Sequence, residues 1–209
     1  MFRKLTSAVD AMTIAPGMVM ISLSAIALGA AFGGYLPLIA LWMETLGVSF
    51  QQIGIVSGTS ALGIICSAYF APQLAQKYGY VVTINIGLVL AAVMTVLFRY
   101  TENYAAWLAI RFVGGLGLGL HWVLTEAWLA NIVSDHGRTR VMAIYATAIS
   151  VGFAAGPAII WLLDFSTPTP FYLIGTFLLI AAWPIYRLRR REPKAEFSSG
   201  GSPLLLIRK

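Results

Sequence analysis

Charge is what this sequence has least of. Only 11% of its 209 residues are Asp, Glu, Lys or Arg, against 59% hydrophobic. A soluble domain carries about 25% charged and about 45–50% apolar residues, and a chain this short has too much surface to cover with so few charges. A water-soluble globule is excluded on that ground. The apolar poverty that marks a disordered chain is missing too. There is a single cysteine, Cys66, so no disulfide framework can form. No heptad or short repeat supports a coiled coil or collagen. Cys66 lies in an apolar run and reads as a small packing residue. The remaining class is a polytopic membrane protein. At about 20 residues per span, the chain has room for six helices and short loops.

The apolar runs place the spans at about Val19–Met43, Ile53–Ala71, Val81–Tyr100, Ala105–Val133, Val141–Leu163 and Phe171–Tyr186. The runs are continuous rather than alternating, which excludes a membrane β-barrel. Residues 1–18 form an arm, 19–186 the bundle and 187–209 a basic tail. Pro16-Gly17 is expected to break the arm from the first helix. Glu44–Gln52, Pro72–Tyr80, Thr101–Tyr104, Ser134–Arg140 and Asp164–Pro170 are expected as loops, short enough to make successive spans antiparallel.

The net charge of +6 is a topology signal rather than a nucleic-acid surface. With the N-terminus in the cytoplasm, the inner segments hold Arg3, Lys4, Lys77, Arg138, Arg140, Arg187, Arg189, Arg190, Arg191, Lys194, Arg208 and Lys209. The outer side keeps only Arg99, with Glu44, Glu102 and Asp164, and Arg111 lies within a span. The positive-inside rule then puts both termini in the cytoplasm. The expected location is a bacterial-type inner (plasma) membrane.

An ionisable residue within a span is a functional candidate by default. The fourth span holds Arg111, His121 and Glu126. At about 100° per residue, Arg111, Gly115, Leu118, Trp122 and Glu126 share a helix face, and His121 sits on its flank. Arg111 lies about 9 Å below the outer end and Glu126 about 22 Å further in, so the two cannot pair. Each needs a partner on another helix, a wet cavity or an interface. Arg111 has the alternative of snorkelling to the outer headgroups. Glu126 has that of pairing with Arg138 or Arg140. His121, beside Trp122, has that of packing between helices.

Glycine spacing suggests close helix approach. Gly29 and Gly33, Gly54 and Gly58, Gly115 and Gly119, and Gly152 and Gly156 are each four apart. Gly156-Pro157 interrupts the fifth span, where proline removes a backbone donor.

Three stretches carry a family resemblance. Arg111-Phe-Val-Gly-Gly115-Leu-Gly117 is similar to the R-x-x-x-G-x-G signature of the major facilitator superfamily. Gly152-Phe-Ala-Ala-Gly156-Pro157 resembles that family's fifth-span antiporter motif, although Ile160 and Trp161 stand where the trailing glycines would be. Leu74-Ala-Gln76-Lys77-Tyr-Gly79 resembles the loop between its second and third spans, with Gln76 in place of the acid and Tyr80-Val81 in place of the basic pair. The segment containing Arg138 and Arg140 resembles the loop between its fourth and fifth spans, and Thr125-Glu126-Ala-Trp128 is similar to one bacterial branch of small-molecule transporters. The resemblance covers about residues 15 to 195. It implies an all-α membrane protein, a six-transmembrane-helix bundle with a 3+3 inverted repeat, forming the N-terminal half of a twelve-helix transporter. The first triplet of spans, starting inside, and the second, starting outside, agree with such a repeat.

The expected function is secondary transport of a small solute by alternating access, with the proton as candidate coupling ion. The resemblance gives Arg111 a role in proton coupling or substrate handling. Glu126 and His121 are proton candidates. Tyr35, Ser57, Ser60, Tyr145 and Ser150 complete the polar set of a cavity lined by spans one, two, four and five. Lys77, Gly79, Gly115, Gly117, Gly152, Gly156, Pro157, Arg138 and Arg140 are the conformational and packing positions. The expected partners are the bilayer, a small-molecule solute and a second six-helix half, from the same protein or another chain. The tail reads as the start of a central loop, with a helical cap or the natural C-terminus of a six-span protein as the alternative. No cofactor, metal or nucleic acid is implied. An intramembrane serine protease would need a Gly-x-Ser-Gly turn, and only Ser57-Gly-Thr-Ser60 occurs; the two histidines, His121 and His136, form no metal spacing. A channel would need a ring of acids or a filter loop, and neither is evident.

Overall fold

The computed structural model describes residues 2–132, 135–164 and 167–193, and the side chains of 17–131, 137–164 and 167–193. Helices follow one another with short connections: α1 Phe2–Thr45, α2 Phe50–Tyr78, α3 Tyr80–Phe98, α4 Tyr104–Ile132, α5 Asp135–Trp161 and α6 Thr169–Arg187, ending in a 3₁₀ turn, Arg189–Arg191. Each of the six contains a stretch long and apolar enough to cross a bilayer. In hydrocarbon every backbone polar group must be bonded within the protein, and a helix does that by itself. The chain is an integral membrane protein.

Helix ends follow capping chemistry. Gly47 (φ 72°) closes α1: its N–H donates to Glu44 O at 2.9 Å and the Val48 N–H to Met43 O at 3.1 Å, a Schellman arrangement. Ser49 opens α2 with a reciprocal bond to Gln52. Asn103 opens α4 by accepting from the Ala106 N–H at 3.0 Å.

Three expected boundaries are corrected. Pro16-Gly17 does not break the first helix, since α1 runs through both residues. Pro72 lies inside α2, which continues to Tyr78, so the expected Pro72–Tyr80 loop reduces to Gly79. Of the Ser134–Arg140 loop, residues 135–140 are the first turns of α5. Proline's fixed φ suits a helix; the lost donor bond is tolerable where neighbouring bonds hold the turn. Polar residues past the bilayer edge do not stop a helix, whereas a positive-φ glycine does. The basic tail beyond residue 193 and Ser134 lie outside the described residues.

The helices pack in a ring that does not close. α5 packs on α1, α1 on α6, α6 on α3, α3 on α4 and α4 on α2, while α1 and α4 scarcely touch. α2 and α5 flank the opening and are the least buried spans. Small residues set the closest crossings. A Cβ on Gly33 would lie 2.2 Å from Phe153 O, and one on Gly152 2.1 Å from Ile26 O, so α1 and α5 meet backbone to backbone. Across the ring, a Cβ on Gly115 would lie 2.2 Å from Ser60 O of α2. Gly54 and Gly58 depart from the expected pattern: nothing stands near a Cβ at either, because that face of α2 points out of the bundle.

Aromatic rings close one end of the bundle. Phe98 stacks on Trp107 (5.7 Å) and on Phe171 (6.4 Å), and Tyr35 and Trp42 meet this group edge-on. The Arg99 guanidinium lies 3.8 Å from the Trp42 ring centroid. Offset-stacked and edge-to-face pairs add to the burial energy, so α1, α3, α4 and α6 are tied at this end.

Candidate functional site

α4 carries the ionisable side chains, and the packing gives each a different setting. Arg111 does not snorkel: it is 2% exposed. It reaches across to α2, where Nη2 donates to Ser60 Oγ at 2.7 Å and Ser57 O at 3.0 Å, and Nε to Val56 O at 3.4 Å. Its Cζ lies 4.9 Å from the Tyr35 ring centroid on α1. A guanidinium in hydrocarbon needs such a fork of acceptors and an aromatic face. The Tyr35 hydroxyl is buried beside Thr95 and Arg111 without a hydrogen bond of full geometry. The void here, about 10 Å³, is on the scale of one water.

His121 is fully buried. Its Nε2 lies 2.9 Å from Ser24 Oγ of α1, and that hydroxyl donates to Ala181 O of α6 at 2.7 Å. Ser24 has one hydrogen, spent on Ala181 O, so Nε2 must be the donor to Ser24 and Nδ1 the bare nitrogen. His121 Nδ1 is buried with no hydrogen-bond partner. The chain His121–Ser24–Ala181 joins three helices. Ser24 escaped the sequence reading because one serine in an apolar run carries no periodic signal.

Glu126 is only partly buried and accepts from Trp122 Nε1 at 2.7 Å. It lies close enough to Tyr145 of α5 for its charge to act on that hydroxyl, which is itself buried without a hydrogen-bond partner. Trp122 meets Phe32 edge-on at 6.5 Å. Both rings line a cavity of about 80 Å³ among α1, α2, α4 and α5, with Leu28, Gly29, Ile64, Leu118, Ile149 and Phe153. The cavity is apolar and aromatic, with Glu126 one turn beyond Trp122.

The remaining positions fall into separate groups. Ser150 is exposed and bonds back to Ala146 O of its own helix. Ser57 and Ser60 serve Arg111. Gly115 and Gly117 are buried at the crossings of α4 with α2 and α3, and Gly152 and Gly156 at that of α5 with α1. Pro157 is exposed on α5. Arg138 Nη2 donates to Ala130 O at 3.0 Å, near the end of α4; Arg140 is exposed. The side chain of His136 lies outside the described residues.

At the basic end, Gly79 alone connects α2 to α3, with φ 87°. Lys77 is exposed, its Nζ 4.9 Å from the Tyr78 ring centroid. Glu192, just past the 3₁₀ turn, accepts from the Val81 N–H at 3.1 Å, and a Cβ on Gly79 would lie 2.4 Å from its Oε1. A carboxylate at a helix N-terminus is favoured by the free N–H groups and the dipole. Glu192 was not singled out from sequence. It sits in a charged run, and its partner is a backbone N–H 111 positions away.

Residues 21–209 match the sequence model described as Major Facilitator Superfamily. The quinolone resistance protein NorA of Staphylococcus aureus is 27% identical over 169 residues, covering 80% of this chain and 43% of that protein. An MFS-type transporter of Bacillus subtilis, YfkF, is 26% identical over 166 residues, covering 79% of this chain and 42% of that protein. The chain spans less than half the length of the curated relatives it matches.

Proposed function

The chain belongs to the Major Facilitator Superfamily, and from that premise we propose that it is the N-terminal six-helix half of a secondary transporter moving a small organic solute by alternating access. The function is transport, not enzymatic catalysis. Three features support the reading. α1 packs on α5 and α6 as α4 packs on α2 and α3, the pairing expected of two inverted three-helix units. The exposed faces of α2 and α5 flank the opening and offer a second six-helix half its seat. The cavity between them is lined by aromatic and aliphatic side chains, with a carboxylate adjoining. The bilayer is an inner membrane, and both termini are cytoplasmic by the distribution of Lys and Arg. Residues 19–186 form the transporting bundle, with residues 187–209 beginning the loop to the second half.

The solute carries an aromatic or apolar body that fits among Phe32, Trp122 and Phe153. The naming of one relative for quinolone resistance agrees with export of such a compound. Glu126 carries the exchanged proton. His121 has one ring nitrogen committed to Ser24 and holds helices together. Arg111 fixes α4 to α2 beside Tyr35.

The pairing of Glu126 with Trp122 at the cavity carries this reading. It is tested in inside-out vesicles bearing the complete protein, by following proton movement when an aromatic cation is added. Glu126→Gln is expected to lower solute-driven proton exchange more than tenfold, while Ser150→Ala leaves it unchanged. Undiminished exchange in Glu126→Gln would remove the carboxylate from the mechanism.

A further inference from the structure

The groove where α3 and α6 part at their basic ends is not used by the transport reading. It encloses about 650 Å³. Its walls are Val82 and Ile86 of α3 and Leu179 and Trp183 of α6, all exposed large apolar side chains. α3 and α6 pack on each other and, behind, on α4 and α1. The groove therefore opens on the side away from α2 and α5, where a bilayer presents acyl chains.

The mouth of the groove is cationic. Arg189 lines it: its Cζ lies 4.9 Å from the Tyr186 ring centroid and its Nη1 donates to the Tyr186 hydroxyl at 2.6 Å. Arg187 lies with its Cζ 5.4 Å from the Trp183 ring centroid. A guanidinium has five N–H donors, so each stacked arginine keeps donors for a phosphate. The acid that lines the groove, Glu192, has one oxygen engaged by the Val81 N–H, which turns it toward the backbone. Aromatic rings at the interface, an apolar trough below and two held guanidiniums above match an amphiphile with an anionic head.

We propose that this groove binds an anionic phospholipid, its acyl chain against Val82, Ile86, Leu179 and Trp183 and its phosphate at Arg187 and Arg189. The tyrosine and tryptophan hold the guanidiniums at the depth of the headgroups. The lipid would fasten α3 to α6 along the groove, below the single tie that Glu192 makes to the Val81 N–H.

The test uses the full chain in phosphatidylcholine vesicles. Phosphatidylglycerol with brominated acyl chains is added in one series, and brominated phosphatidylcholine at equal fraction in the other. The Trp183 fluorescence is obtained by difference from Trp183→Phe. Brominated phosphatidylglycerol is expected to quench it at a mole fraction lower by about fivefold per arginine. Arg187→Gln with Arg189→Gln should abolish the preference, and the double lysine variant should keep most of it. Trp161, exposed on α5, should be quenched alike by both lipids. Equal quenching of Trp183, a preference surviving the double glutamine variant, or displacement by millimolar glycerol phosphate would each overturn the proposal. If Trp183→Phe does not fold, native mass spectrometry of the wild type and the double glutamine variant counts retained phosphatidylglycerol; equal counts overturn it.

Discussion

The two ends of α4 hold opposite charges in opposite ways. Arg111 is sealed among α1, α2 and α4 with three acceptors and a ring around it. Glu126 is half-open and has one bond, from a tryptophan on its own helix. Removing Arg111 takes a fastening out of the bundle. Neutralising Glu126 changes a charge beside the cavity and leaves the packing as it was. The difference shows how to rank ionisable residues in a membrane span. A buried charge with many partners on a neighbouring helix ties the two helices together, whereas one with few partners can change state at little cost to the packing.

The largest expected effect is at the first end. Arg111→Ala should cost about 3 kcal/mol or more of stability in detergent, since charge-assisted bonds count about 1.5–3 kcal/mol each, read as a lowered thermal midpoint. Arg111→Lys should recover less than half of it, because an ammonium cannot span Ser60 Oγ and two carbonyls as a fork does. Full recovery by lysine would reduce Arg111 to a point charge. Next comes Gly115→Val, whose Cβ would meet Ser60 O and force α4 from α2 at a cost of about 1–3 kcal/mol. Gly54→Val, on the open face of α2, should change the midpoint of the isolated chain hardly at all. A smaller loss, about 1.2 kcal/mol, is expected for Ser24→Ala, which removes two interhelical bonds of about 0.6 kcal/mol each in a membrane protein. Among the hydrogen-bonded positions, the smallest stability change is expected at the second end. Glu126→Gln keeps an oxygen for Trp122 Nε1, so its midpoint should stay within about 0.5 kcal/mol of the wild type while proton exchange collapses. A large stability loss there would erase the contrast between the two ends.

The six spans were legible because composition and run length leave a bilayer protein few choices. The placing of Arg111, His121 and Glu126 on one helix was legible too, since it needs only helical periodicity. The partners were not. Arg111 bonds to carbonyls of Val56 and Ser57, and every residue has a carbonyl, so no side-chain pattern marks them. The Gly54–Gly58 pair has the same spacing as Gly115–Gly119 but faces outward; spacing gives a face and not what lies against it. Polarity and proline are weak helix stops past the bilayer edge, which is why α2 runs through Pro72 to Tyr78 and α5 begins at Asp135. The structure shows that the positive φ of Gly79 is what ends α2.

That glycine has a mechanical consequence. A single residue joins α2 to α3, and Glu192 reaches over it from beyond α6. Such a link has no slack, so α2 cannot slide along its axis without drawing α3 and the start of the tail with it. Whatever tilting the bundle undergoes at this edge must be shared by three segments at once, as in a lever whose short arm is already tied down.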